Sequence, residues 1–173
     1  IDGARIKMQS ELAWNGKVKI HVKPAIEKEF LLHVRNPSWN KASSEELTAS
    51  GYDPRLAEYR TVAIRGEKTI ELEFDMSIKL RHAHPKVKGH AGKATITRGP
   101  LVYCLESVDN LDVELFTAQL DPTSLRDEFV PDLLGGCVVI HARTIDGKPL
   151  KFIPYFLWAN RGQSQMTVWV NSK

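Results

Sequence analysis

The stretch "TIELEFDMSIKLR", residues 69–81, alternates apolar and polar side chains along its whole length. Every second residue from Ile70 to Leu80 is apolar, and the residues between them are charged or polar. Successive side chains of an extended chain point to opposite faces, so this period of two predicts one long strand with a single buried face. Burial of one inward side chain, such as Leu72 or Phe74, contributes about 1.5–3 kcal/mol.

The same alternation occurs at "KVKIHVK", residues 17–23, and at "EFLLHVR", residues 29–35. Asn15-Gly16 and Asp146-Gly147 are dipeptides typical of tight turns between antiparallel strands. Further strands are predicted at residues 59–66, 93–97, 101–106, 137–143, 150–158 and 166–170. Many short strands with little helical periodicity predict an all-β fold, made of two small antiparallel β-sandwich (jelly-roll-like) units packed together.

A change of composition at "HAHPKVKGHAGK", residues 82–93, separates two blocks that are rich in predicted strands. This change predicts a first β-sandwich over residues 1–83 and a second over residues 84–173. The segment "DPTSLRDEFVPDLLGG", residues 121–136, is predicted to be irregular, with at most one helical turn after Thr123. Pro131 and the glycine pair that follows it would end such a turn.

The charge pattern argues against nucleic acid as a partner, because 24 basic and 21 acidic residues are interleaved and the net charge is only +3. The sequence also has no apolar run near the roughly 18 residues of a membrane span. The first residue is not Met and the opening already has a strand pattern, so we expect a fragment of a longer chain. Cys104 and Cys137 lie in apolar surroundings, which favours a reducing, cytoplasmic compartment.

His82 and His84 are candidates for a metal site. On an extended chain their imidazoles point to the same side and could bind zinc or copper. The alternative is a solvated strand end before a proline. The nearest further imidazole, His90, lies across a loop that contains glycine, and no third ligand has a recognisable spacing. We therefore predict no metal site and keep these two histidines as candidates only.

The stretch "KATITRGPLVYCLESVDN", residues 93–110, contains both a cysteine and acidic residues. Cys104 lies in the middle of an apolar run, so we expect a packed and unreactive thiol. Arg98-Gly99-Pro100 is interpreted as a kink or bulge between two strand segments. The acidic residues near this run are expected to contact solvent or form turns, since catalytic carboxylates usually come from different elements. They are Glu106, Asp109, Asp112 and Glu114.

Tryptophans are the candidates for carbohydrate binding, because a flat aromatic face pairs well with the C–H face of a sugar ring. Trp39 lies in the loop-like "NPSWNK", and Trp158 follows Tyr155 in an aromatic run. Packing in a core is the alternative for each of them. Trp39 and Trp158 are therefore predicted as sugar contacts if any tryptophan makes one.

Three segments resemble the C-terminal region of the bacterial β-L-arabinofuranosidase family of glycoside hydrolases, family 127. They are "RGPLVYCLESVDN" at 98–110, "FVPDLLGG" at 129–136 and "IPYFLWANRGQSQMTVWV" at 153–170. Two earlier segments, "VRNPSW" and "AHPKV", are similar to the sandwich segment that precedes that region. The resemblance covers nearly the whole chain. Asn36 departs from it, because the family usually has an aliphatic residue there.

The resemblance implies an N-terminal (α/α)6 catalytic barrel followed by two β-sandwiches, and cleavage of terminal L-arabinofuranose with retention. It also implies a zinc-bound cysteine nucleophile, with zinc expected only in the barrel. No segment here matches that cysteine cluster, so no catalytic residue is assigned. We expect a non-catalytic part that braces the barrel, with homodimer contacts as a further expectation. The alternative is a stand-alone carbohydrate-binding module.

Overall fold

A computed structural model of the chain describes residues 3–26, 29–37, 39–40 and 59–172. One short α-helix, α1 (Leu12–Asn15), lies among the strands of these ranges. The strands are β1 (Ala4–Ser10), β2 (Lys17–Pro24), β3 (Phe30–Arg35), β4 (Tyr59–Ile64), β5 (Lys68–Glu73), β6 (Ile78–His82), β7 (Lys93–Arg98), β8 (Leu101–Glu106), β9 (Leu120–Val130), β10 (Cys137–Thr144), β11 (Pro149–Pro154), β12 (Met166–Thr167) and β13 (Val170–Asn171). They pair antiparallel, which confirms the all-β prediction.

The chain divides into two compact units, residues 1–76 and 77–173. The division follows Met76, whereas the change of composition predicts a boundary after residue 83. The predicted single strand over 69–81 is wrong, because β5 ends at Glu73 and β6 begins at Ile78. Between them, the Phe74 amide donates to the Gly16 carbonyl at 2.9 Å, outside any strand ladder. The alternation of apolar and polar residues continues across the break because β5 and β6 each pack one face on a core, and these are two separate cores.

The first unit is a small sandwich of two sheets, ordered β1-β2-β5 and β3-β4. Its core contains Ile20 and Ile70 from the first sheet and Val34 and Ile64 from the second, so the two sheets pack face to face. Gly16 follows α1 with a φ of +79°, and a Cβ there would lie 2.4 Å from the Phe74 carbonyl oxygen. Only glycine fits that junction between α1 and β2.

The second unit is one sheet of eight strands with the main order β13-β7-β8-β11-β10-β9, to which β6 and β12 are joined. β6 pairs with β7 and also contacts β9, so the sheet curls around its core. Leu105, Ile140 and Phe152 are buried in that core. The alternate residues Cys104 and Val139 point to the opposite face, and they are buried too. Part of the outer face is therefore covered as well.

The predicted irregular segment after residue 120 is wrong over most of its length, because residues 120–130 form β9. The register shifts between His141 and Arg143 of the paired strand, so β9 carries a bulge there. Asp121 Oδ1 accepts hydrogen bonds from the Thr123 amide at 2.9 Å and its hydroxyl at 2.7 Å. Residues 121–124, which are Asp, Pro, Thr and Ser, thus form a bulge within a strand. These residue types are common in turns, so the sequence alone indicates a loop there.

Gly99 and Pro100 form a tight turn between β7 and β8 rather than a kink within one strand. Arg98 and Leu101 are paired across this turn. Gly99 has a φ of +54°, a value that glycine adopts without strain at the first position of such turns.

Candidate functional site

Three large aromatic side chains are exposed together just after β11. They are Tyr155 (43% exposed), Phe156 (56%) and Trp158 (40%), in and after a 3-10 helix at Tyr155–Leu157. We call these three residues the aromatic shelf. The rings of Tyr155 and Trp158 are nearly parallel, with centroids 6.4 Å apart and planes at 18°. Exposed apolar side chains that lie close together often mark a contact surface.

The backbone behind the shelf is held in an unusual conformation. Ala159, directly after Trp158, has a φ of +63°, a region that residues other than glycine seldom adopt. Its amide donates to Glu106 Oε1 at 2.9 Å. The Asn160 side chain donates to the carbonyls of Leu157 and Trp158, at 3.0 and 3.3 Å. These hydrogen bonds fix the loop that carries the aromatic rings.

A group of charged side chains joins the loop that carries the aromatic shelf, the shelf loop, to the sheet, and we call this group the Arg161 cluster. Arg161 Nη2 lies 2.6 Å from Glu106 Oε2, and its Nη1 lies 2.9 Å from Asp109 Oδ1. Lys151 Nζ donates to the same Asp109 oxygen at 3.0 Å. The cluster consists of Glu106, Asp109, Lys151 and Arg161. It connects β8, the turn after β8, β11 and the shelf loop.

The pKa shifts of Asp109 and Arg161 favour the charged forms of these two side chains. Burial alone would raise the pKa of Asp109, but hydrogen bonds from Arg161 and Lys151 outweigh burial and lower it. The hydrogen bond with Asp109, assisted by the one with Glu106, raises the pKa of Arg161 despite burial. Asp109 and Arg161 are therefore stabilised as an ion pair.

The expectation that Glu106 and Asp109 contact solvent or make turns is wrong for their side chains. Glu106 is 1% exposed, and the Asp109 side chain is also largely buried. Each of their carboxylate oxygens accepts a hydrogen bond from Ala159, Lys151 or Arg161. A general acid or base needs an oxygen that can reach substrate, so these carboxylates suit a structural role.

The other residues singled out in the sequence have different surroundings. Trp39 is partly buried, and its ring packs on Phe74 with centroids 5.7 Å apart. His82 and His84 are exposed, and His84 Nδ1 accepts the Lys86 amide at 3.2 Å. In the described ranges, no three His, Cys, Asp or Glu side chains group closely enough to hold a metal ion. Sugar contact at Trp39 or Trp158 stays a prediction.

Both cysteines are free thiols buried on the outer face of the sheet. Burial, assisted by the nearby Glu106 carboxylate, raises the pKa of the Cys104 thiol to about 12. Burial raises the pKa of Cys137 as well. Since the thiolate is the form that attacks substrates and binds metals, neither residue suits a nucleophile or a zinc ligand.

Among the helices in the described part of the chain, none has the length and apolarity to cross a bilayer.

Sequence reasoning missed Arg161, Lys151 and the backbone of Ala159. Arg161 is 55 positions from Glu106 in the chain, and nothing in a single sequence pairs two such charges. The available signal is that Arg161 is the one charged residue in the aromatic segment 153–170.

Comparison with known proteins identifies two family domains. Residues 1–78 match the β-L-arabinofuranosidase GH127 middle domain, and residues 78–171 match the glycoside hydrolase family 127 C-terminal domain. The chain is 32% identical to the non-reducing end β-L-arabinofuranosidase of Bifidobacterium longum subsp. longum, over 96% of this chain and 30% of that enzyme.

Solved structures of GH127 proteins also match this chain. A GH127 β-L-arabinofuranosidase from Geobacillus stearothermophilus T6 is 32% identical, with a TM-score of 0.80 over 98% of this chain and 31% of its own. A GH127 β-arabinofuranosidase at 23% identity has a TM-score of 0.74 over 100% of this chain and 32% of its own, which supports the fold alone. The chain thus spans about a third of the length of these relatives. It belongs to glycoside hydrolase family 127, of which it contains the middle and C-terminal domains.

Proposed function

We propose that this chain is the non-catalytic C-terminal β-sandwich part of a glycoside hydrolase and that it braces the catalytic barrel of the same protein. The relatives it matches are β-L-arabinofuranosidases about three times as long. In this proposal the parent protein hydrolyses terminal L-arabinofuranose with retention, and the chemistry takes place in the barrel.

The Arg161 cluster is the observation that carries the non-catalytic assignment. Retaining hydrolysis of a glycoside requires two groups that face the scissile bond and can exchange a proton or act as a nucleophile. Here two carboxylates that were candidates from the sequence, Glu106 and Asp109, are engaged with Arg161, Lys151 and a backbone amide. Their interactions stabilise the fold of the second unit and hold the shelf loop, and leave them unsuited to contact substrate.

Zinc belongs to the barrel in this proposal. The residues of this chain do not fit a zinc thiolate centre, because Cys104 and Cys137 are buried and burial raises both thiol pKa values. His82 and His84 are exposed, and one nitrogen of His84 is already hydrogen bonded. We therefore place no step of the reaction on these residues.

Activity measurements on two proteins would test the proposal. The full-length protein and the isolated chain 1–173 are assayed for hydrolysis of an aryl β-L-arabinofuranoside. We expect turnover by the full-length protein and none by the isolated chain. A full-length Cys104→Ser variant is the control and should retain kcat. Turnover by the isolated chain, or loss of kcat in a folded Cys104→Ser variant, would contradict the non-catalytic assignment.

The bracing role predicts a separate result. Removing residues 1–173 from the full-length protein should lower the Tm of the remaining barrel, because apolar contacts with the sandwiches would be lost. An unchanged barrel Tm would contradict bracing. Homodimer contacts stay a proposal, which sedimentation of the full-length protein at several concentrations would test.

A further inference from the structure

The aromatic shelf places three large aromatic side chains on the surface of the second unit. Tyr155, Phe156 and Trp158 are each at least 40% exposed within four residues of chain. Phe156 is the most exposed of the three and has no polar atom in its side chain. Aromatic residues are enriched at protein interfaces, where they provide much of the binding energy.

The shelf is also rigidly supported. The backbone conformation of Ala159 is unfavourable for a residue with a Cβ, and a hydrogen bond to the buried Glu106 maintains it. Arg161, which lies in the same loop, joins that carboxylate to Asp109. A loop that is held before it binds loses less conformational entropy on binding, so the support favours a contact surface over a mobile surface loop.

The polar groups beside the shelf distinguish between occupants. A sugar site needs polar side chains that can bond hydroxyl groups around the aromatic face. The Asn160 amide nitrogen already donates to two carbonyls of the loop, and both terminal nitrogens of Arg161 donate to Glu106 and Asp109. The nitrogens of Asn160 and Arg161 are therefore already engaged within the protein, and the shelf itself is mostly apolar. Such a surface suits contact with an apolar protein surface better than contact with a sugar.

We propose that the aromatic shelf docks on the part of the same protein that lies outside this chain. The relatives have about two thirds of their length beyond the matched region. In the proposed parent protein, a protein surface of that size would be covalently attached to this chain. Covalent attachment gives the partner a high effective concentration, which favours contact within one molecule. The inference rests on the proposed bracing role and assigns a surface to it.

Phe116 offers an internal control because it is a phenylalanine of the same unit with 52% exposure, close to the 56% of Phe156. Hydroxyl-radical footprinting with mass spectrometry would measure the labelling of both residues in the full-length protein. Their intrinsic reactivities are equal, so the ratio of labelling reports only on coverage. If docking buries Phe156 like an interface core, we expect its labelling to be about five-fold below that of Phe116.

Equal labelling of the two residues, whether high or low, would overturn the inference. So would protection of Phe156 that is lost on dilution, since the partner would then be a second copy of the protein. Protection that is present only with an added arabinose-containing oligosaccharide would show a sugar site and also overturn it. Footprinting does not depend on turnover, so its failure is distinct from a failure of the non-catalytic assignment.

A variant provides a second readout. Phe156→Ala in the full-length protein should increase the labelling of Trp158 several-fold by opening the docked surface, whereas Phe116→Ala should leave Trp158 unchanged. Equal Trp158 labelling in the two variants would contradict docking.

Discussion

The guanidinium of Arg161 lies 2.6 Å from the carboxylate of Glu106, which is only 1% exposed. The two residues are 55 positions apart, so this contact fixes the shelf loop to the end of β8. Glu106 is buried and Arg161 is partly buried, and Arg161 is also hydrogen bonded to Asp109, in contrast to exposed surface pairs such as Lys19–Glu71. The role of the Arg161–Glu106 pair in stability should therefore differ from that of a surface pair.

Replacing Arg161 tests that difference. Arg161→Ala would leave two largely buried carboxylates with incomplete partners, and removal of one partner of a buried pair typically costs about 3–5 kcal/mol. Arg161→Lys should cost less, because it keeps the charge but loses the fork geometry that contacts both acids. Urea unfolding of the second unit would measure both free energies.

Arg126→Ala is the matched control for Arg161→Ala, since Arg126 is an exposed arginine of the same unit. We expect the control to change the free energy of unfolding by less than about 0.5 kcal/mol. Similar losses of unfolding free energy in Arg161→Ala and Arg126→Ala would refute the structural role of the Arg161 cluster.

Asp109 should make the stability of the fold depend on pH in the acidic range. Its pKa is lowered in the folded state, so its contribution is fully present above the unfolded pKa of about 3.9 and is lost as the pH falls through the lower folded pKa. Asp109→Asn should be less stable at pH 7 but should lose less stability between pH 5 and pH 3. Thermal unfolding across this range would compare the slopes, and parallel curves would exclude Asp109 as the source.

The buried thiols should be unreactive in the folded protein. With a pKa of about 12, Cys104 has a negligible thiolate fraction near neutral pH, and its side chain has no access to solvent. Ellman's reagent at pH 8 should find no fast-reacting thiol in the native chain and two thiols in urea. Rapid reaction of one thiol in the native chain would contradict the burial of the outer face.

Local patterns in the sequence predict most strands but not their pairing. The alternation at 17–23 and 29–35 predicts β2 and β3, because a half-buried strand leaves a period of two. Around Asp121 the prediction fails because residues typical of turns form a bulge within β9. The break after Glu73 is missed because one alternating pattern passes through two strands with different partners.

The candidate site was less predictable than the fold. Trp158 is found by its residue type, but its support comes from Glu106 and Arg161, which meet only in the folded chain. A carboxylate at a strand end is usually solvated, so sequence alone favours the wrong environment for Glu106. Burial of an acid depends on a distant base, and a single sequence contains no record of that pairing.

Packing in the first unit should depend on one face of β5. Ile70 is buried and paired across from Ile20, whereas Glu71 is exposed and pairs with Lys19. Ile70→Ala should cost about 2–5 kcal/mol through lost burial and a cavity. Glu71→Ala should cost far less than Ile70→Ala, as expected for a fully exposed ion pair. Equal shifts of the urea midpoint would contradict the assignment of the two faces.

The backbone of Ala159 gives the sharpest test of the shelf loop. Glycine at most positions costs stability because the unfolded chain gains freedom, by about 0.4–1 kcal/mol relative to alanine. At a φ of +63° the Cβ of Ala159 is itself unfavourable, so Ala159→Gly should be neutral or stabilising. Ala91 is an exposed alanine of the same unit with a φ of −58°, and Ala91→Gly should show the ordinary loss.

Ala159→Val should be destabilising by more than about 1 kcal/mol, because a β-branched side chain is poorly tolerated at positive φ. Free energies of unfolding for the three variants would then rank Ala159→Gly above Ala91→Gly and Ala159→Val. If Ala159→Gly instead lost as much stability as Ala91→Gly, the left-handed conformation would not be present. The rigid support of Trp158, on which the docking proposal depends, would then lose its main structural argument.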